Sequence, residues 1–412
     1  MERLVILLLV CFVGGGLPDE AAALGLPEAR NVDVSKPLSI DREELGPVEQ
    51  RLKAIEMPAG FHIELFAQVP YARHMAISPD GTTVFVGTRG EDLWLLPIQK
   101  EKGELARVRS LGDNLDLDMP NGPCFSGEGD LFVSERNRVL VFPQIVEALN
   151  KQDAKAIEIV PQGTLIPPSE ESGNHSARVC RVGPDGRLYI SLGQPYNVSP
   201  ISKLELYQKL GIGGIISMEQ DGTDRLVYTT GVRNSVGMDF HPRTQELWFT
   251  DNQVDGMGDD IPPGELNRQT EAGQDFGFPW YGGGAVKTER YKNIRAPDDV
   301  IFPEVEMDAH AADLGMTFYK GEQFPRIYRG GIFNAQHGSW DRSEPIGARV
   351  MFTEVNDEGR ATSTSVFAEG WLGRDGEYWG RPVDTAELPD GSLLVSDDRA
   401  GAIYRIWYSE PE

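Results

Sequence analysis

Short apolar runs, each closed by a turn signal, recur along most of this chain. Met75-Ala-Ile-Ser-Pro-Asp-Gly-Thr-Thr-Val-Phe-Val-Gly87 shows the plan: an apolar run, a tight turn, and a second apolar run. Residues 123–134, 179–191, 238–250 and 385–396 repeat it, and a degenerate copy spans 316–336. In the Pro-Asp-Gly turns proline presets φ, aspartate bonds back to the local backbone, and glycine accepts positive φ. The flanking runs are rich in Val, Leu, Phe, Tyr and Trp, as packed strands require. Six such units, strung at intervals of roughly 50 to 75 residues, predict an all-β chain folded as a six-bladed β-propeller. A two-sheet sandwich is the other arrangement considered, and it accounts less well for units so alike and so evenly spaced. Helix is scarce, with short segments predicted over 145–156 and 203–210.

Three regions follow from the same pattern. Leu4 to Val13 is apolar, Arg3 precedes it, and Ala21-Ala22-Ala23 supplies small residues for cleavage. Residues 1–23 therefore read as a signal peptide, too short to span a bilayer comfortably. Residues 24–55 are polar without a clear period and form an N-terminal extension. Residues 56–409 hold the repeats. The expected location is the periplasm or outside the cell, with no membrane span after cleavage.

Composition narrows the partners. The 412 residues carry a net charge of −25, which argues against nucleic acid, since phosphate binding needs a basic face. Beyond the leader only Cys124 and Cys180 remain. They are free to pair in an oxidising compartment or to stay as buried thiols. No Gly-x-Gly-x-x-Gly follows a strand, no Walker loop appears, and there is no Cys-x-x-Cys-His or Gly-x-Ser-x-Gly motif. Rossmann-bound nucleotides, a covalent haem and a serine-hydrolase elbow are thus unsupported.

Polar residues at unit boundaries converge on a propeller axis although they are distant in sequence. His175, in Gly173-Asn-His-Ser, has the pKa range of a general base, or fixes its loop by hydrogen bonds. Arg233 and Asn234 open the fourth unit. They offer a donor fork and an amide to anionic or carbonyl oxygens, or a salt bridge at a strand start. Asn121 occupies the corresponding slot of the second unit. The stretch from Asp251 to Asp260, with Glu265 and Asn267, is oxygen-rich and suits Ca²⁺, or is a solvated acidic loop. Arg342 and Arg381 add cations in later boundary loops, where surface ion pairing is the plain alternative.

These motifs together resemble one family. Gly173-Asn-His-Ser-Ala-Arg178, Gly231-Val-Arg-Asn-Ser-Val-Gly237, Gly258-Asp-Asp-Ile-Pro-Pro-Gly-Glu-Leu-Asn267, His337-Gly-Ser-Trp-Asp-Arg342 and Gly380-Arg-Pro-Val383 look like the glucose/sorbosone dehydrogenases, nearest the sorbosone and aldose branch, over about residues 56 to 408. The resemblance implies an exported propeller that uses pyrroloquinoline quinone (PQQ) and Ca²⁺. It would oxidise an aldose or sugar aldehyde to a lactone or acid and pass electrons to an external cytochrome or quinone. It implies His175 as base, with Arg233 serving both catalysis and the cofactor. Asn121, Asn234, Asn252, Arg342 and Arg381 become cofactor contacts, and the Gln253 and Val254 carbonyls become calcium ligands. The chain departs from the pattern twice: Val383 stands where the family has a second arginine, and Gln253-Val254 replaces a Gly-Pro pair. A calcium-dependent lactonase-type hydrolase and a non-catalytic binding propeller are the alternatives.

Overall fold

The computed structural model describes residues 28–39, 42–100 and 104–411, so the predicted signal peptide lies outside the described residues. Six sheets form six blades, antiparallel throughout except where Leu226–Thr230 pairs parallel with Gln274–Asp275 in blade 3. Their inner strands are Met75–Ile77, Gly122–Phe125, Cys180–Val182, Gly237–Phe240, Asp313–Phe318 and Pro382–Glu387, for blades 1 to 6 in order. Each inner strand packs beside the next, and that of blade 6 returns to that of blade 1. The ring is therefore closed, and the inner edge of each sheet is short and protected by its neighbours around the axis.

Closure comes from an early strand. Phe61–Gln68 pairs antiparallel with Ala402–Tyr408, with Phe61 opposite Tyr408 and Gln68 opposite Ala402. Blade 6 thus takes its outermost strand from the start of the repeat region. The N-terminal extension contributes as well. Ala29–Asn31 pairs with Lys155–Val160 as a fifth strand of blade 2, and Arg42–Leu52 forms a helix the polar pattern did not reveal.

The Pro-Asp-Gly turns behave as their chemistry dictates. Gly81, Gly186 and Gly391 all have positive φ. The preceding aspartates accept the N–H two residues on: Asp80 from Thr82, Asp185 from Arg187 and Asp390 from Ser392. In blade 4, which lacks the motif, Gln245 takes the left-handed position at φ 61°. Crowding at the axis explains other glycines. A Cβ at Gly237 would collide with the Leu314 carbonyl, and one at Gly315 with Asp384.

The helix expected over 145–156 ends sooner, at Lys151. Gln152 turns left-handed, and Lys155–Val160 joins the sheet instead. The second expected helix spans Leu204–Leu210.

Cys124 and Cys180 are joined in a disulfide, with Cα atoms 5.7 Å apart. It ties the inner strands of blades 2 and 3 across a sequence separation of 56 residues. Closing a loop of that length restricts the unfolded chain, so replacing both cysteines with alanine is expected to cost about 2–4 kcal/mol. Thermal unfolding of the double variant checks this, and an unchanged midpoint would refute it.

Candidate active site

The chain segments entering the inner strands meet at one face of the propeller. They carry Arg73, Asn121, His175, Arg233, Asp313 and Arg381, one from each blade boundary. A cavity of about 450 Å³ opens there, within the range of small-ligand sites.

His175 lines this cavity. It sits at φ 54° in its polar loop, and its Nδ1 is 2.6 Å from the Gln194 carbonyl oxygen. A carbonyl only accepts, so Nδ1 carries the proton and Nε2 keeps its lone pair. Among the described residues Nε2 has no hydrogen-bond partner. Burial, then the Arg233 charge, lowers the imidazole pKa to about 4. It is therefore neutral at pH 7 and able to accept a proton. Gly193 lets two site residues come together, because a Cβ there would lie 2.5 Å from both the His175 carbonyl oxygen and Asn234 Oδ1.

Arg233 is 3% exposed. Its Nε donates to the Asn197 carbonyl, Nη1 to the Asn252 carbonyl, and Nη2 to Asn197 Oδ1 and, at 2.7 Å, Asp255. Four of its five N–H groups are committed, leaving one on Nη1. The Asp251 carboxylate accepts the backbone N–H groups of Arg233 and Asn234 and so fixes both residues. Burial raises the affinity of Asp251 and Glu265 for protons, and for Glu265 the adjacent Asp251 charge adds to it.

Asn234, Asn252 and Gln253 also line the cavity. Asn252 Nδ2 donates to the Asn234 and Asp313 carbonyls, and Gln253 donates to Asp251. Val254 is packed beneath, with its N–H on the Gly282 carbonyl. Neither the Gln253 nor the Val254 carbonyl accepts a backbone hydrogen bond among the described residues outside regular elements. Asn234 Oδ1, Gln253 Oε1 and Asp313 Oδ2 are buried without hydrogen-bond partners. Oxygens left unpaired at such a cost form a donor set that fits a hard cation and an oxygen-rich ligand.

Four expected site residues lie off the cavity lining: Val254, packed beneath it, and three others. Asn121 is fully buried one layer below, with Nδ2 on His74 and the Arg178 carbonyl and Oδ1 accepting from Arg73. Arg342 donates to the Asp259 and Ala309 carbonyls, beside a separate surface depression. Arg381 donates to the His337 and Gly338 carbonyls and lies over the Tyr378 ring.

Other residues take their places. Arg73, Arg89, His310, Asp313, His337 and Trp340 all line the cavity. Arg73 lies two residues before its inner strand, whereas Arg233 lies four before its own, so superposing the repeats does not pair them. His337 stands in a motif already singled out, but its partner Asp398 is distant in sequence. His337 Nε2 lies 2.8 Å from Asp398 Oδ1.

A family model described as Glucose / Sorbosone dehydrogenase matches residues 70–405. A protein of Borreliella burgdorferi described as uncharacterized is 31% identical over 368 residues, covering 88% of this chain and 93% of the relative. The calcium structure of a Trichoderma reesei Carbohydrate-Active Enzymes Family AA12 protein superposes with a TM-score of 0.69 at 19% identity, over 86% of this chain and 97% of that one. The holo PQQ domain of a Coprinopsis cinerea pyranose dehydrogenase gives 0.66 at 16% identity, over 86% and 97%. The apo aldose sugar dehydrogenase of Escherichia coli gives 0.51 at 16% identity, over 85% and 100%. At these identities the three superpositions establish the propeller fold.

Proposed function

Because the chain belongs to the glucose/sorbosone dehydrogenase family, we propose that it is a PQQ- and Ca²⁺-dependent oxidoreductase. Its substrate would be an aldose or a sorbosone-like sugar aldehyde, and its product the lactone or acid. Electrons would pass to an external acceptor such as a cytochrome or quinone. The observation that carries this reading is the neutral His175, anchored through Nδ1, on a cavity that also presents guanidinium groups and unpaired buried oxygens.

PQQ when bound would supply a two-electron acceptor, and Ca²⁺ the positive charge that polarises it. His175 Nε2 would take the proton of the sugar's anomeric or hydrated-aldehyde hydroxyl. The Gln194 carbonyl would hold the ring in the tautomer that permits this. Arg233 would turn its remaining Nη1–H toward negative charge in the cavity, while its other bonds keep the 197 and 252–255 loops in place. Asn234 and Asn252 would bind and orient the cofactor. The Gln253 and Val254 carbonyls would hold the cation, which draws support from their freedom from backbone bonds. The disulfide supports an oxidising, exported setting. No helix among the described residues is long and apolar enough to cross a membrane.

Adding PQQ and Ca²⁺ to purified apoprotein is expected to give a bound-quinone absorbance and aldose-dependent dye reduction. If neither develops with any of several aldoses, the proposal fails.

A further inference from the structure

The residues expected to meet an anionic ligand from blades 5 and 6 are spent elsewhere. Arg342 and Arg381 bind backbone carbonyls away from the cavity, and Val383 is wholly buried in an apolar cluster. The cavity nevertheless has two further cations, both from blade 1. Arg73, 4% exposed, places Nη1 2.8 Å from Asp398 Oδ2 and Nε 3.3 Å from Asn121 Oδ1. Its Nη2 has no partner among the described residues. Asp398 is held on its other side by His337, so its carboxylate is committed and the Arg73 fork is oriented. Arg89 lines the same cavity and makes no hydrogen bond or ion pair among the described residues.

We propose that Arg73 and Arg89 form a carboxylate-binding corner of the cavity. The electrostatics favour this. Only Arg73 is paired with a carboxylate, Asp398, and Arg89 has no such partner among the described residues, in a chain whose net charge is −25. Burial and the Arg73 charge together weaken the hold of Arg89 on its proton, the mark of an uncompensated cation near another. An anion relieves that repulsion, and a carboxylate matches the planar fork of arginine. The carboxylate has two sources under the proposed function: the quinone's own carboxylates or a sugar acid. The corner deepens that reading, but its test does not depend on turnover.

The experiment titrates apoprotein with PQQ, with the trimethyl ester of PQQ, and with gluconate, all in Ca²⁺, followed by absorbance or intrinsic fluorescence. The variant is Arg89→Ala, since no hydrogen bond or ion pair among the described residues depends on Arg89. Circular dichroism checks its fold. PQQ binding is expected to weaken ten- to a hundredfold, the usual weight of a charge-assisted pair, while ester binding changes less than twofold. If Arg89→Ala binds PQQ and gluconate as wild type does, the corner is wrong. If wild type binds gluconate through Arg89 but not PQQ, the corner stands and the quinone reading falls. If wild type binds PQQ and Arg89 affects only gluconate, the corner belongs to the sugar acid. If wild type binds neither anion, the corner is refuted.

Discussion

Replacing His175 with alanine is expected to lower turnover by roughly 10²–10⁴, the usual contribution of a positioned general base. Quinone binding should stay within a fewfold of wild type, because the imidazole's anchor is the Gln194 carbonyl and not a cofactor contact. The pH profile gives a second handle. A base works only when unprotonated, so activity falls as pH drops through its pKa. Burial and the Arg233 charge place that pKa near 4, below the ordinary histidine value of 6.5. The acid limb of kcat/KM should therefore lie well below pH 6, and removing the neighbouring charge with Arg233→Met should move it upward. A limb at pH 6.5 would mean that the ring is solvated or paired during catalysis. Turnover unchanged in His175→Ala would remove it from the base role altogether.

The propeller was legible because its signals are local. A Pro-Asp-Gly turn between two apolar runs states its geometry within about thirteen residues; three units carry that turn, and six units of the same run-turn-run plan leave little choice of architecture. The chain start was less legible. Ala29–Asn31 joins blade 2 only through its partner strand Lys155–Val160, and no short window of sequence encodes that pairing. The site divides in the same way. His175, Arg233, Asn234, Asn252 and Gln253 were visible as polar breaks before or after strands, and all five line the cavity. Asn121, Arg342 and Arg381 were just as visible, yet side-chain direction and competing carbonyls turn them away. Arg73 and His337 depend on Asp398, which lies 325 residues from Arg73 and 61 from His337. Such an arrangement appears only once the ring has closed. Asp313 depends on burial, since its Oδ1 accepts from Asn334 and Gln336 while Oδ2 is left without a partner.

That burial leads to a prediction about stability. The apoprotein is expected to melt at progressively lower temperature as pH is raised from 5 to 8. Asp313, Asp384 and Asp397 are each 0–1% exposed, and burial raises their pKa values to about 7, 7 and 6. In the unfolded chain each returns to about 3.9. The folded state therefore binds more protons across this window. Its stability from these groups is complete below about pH 4 and drains away as pH climbs through 6 to 7. A tenfold difference in proton affinity between folded and unfolded chains is about 1.4 kcal/mol, so the three together weigh several kcal/mol. Asp398 works in the opposite sense, because His337 and Arg73 hold its pKa far down. Its contribution is present above the unfolded value near 3.9 and fails only in stronger acid, outside the window. Repulsion within a chain of net charge −25 adds to the decline at high pH. Asp313→Asn isolates one group: the amide keeps an acceptor for Asn334 and Gln336 but has no charge to bury. Its melting temperature should depend less on pH than that of wild type, with the largest gain at pH 8. A wild-type midpoint that is flat or rises between pH 5 and 8 would show that these carboxyls ionise in the folded protein without penalty, and that the dry interior beneath the cavity is wet.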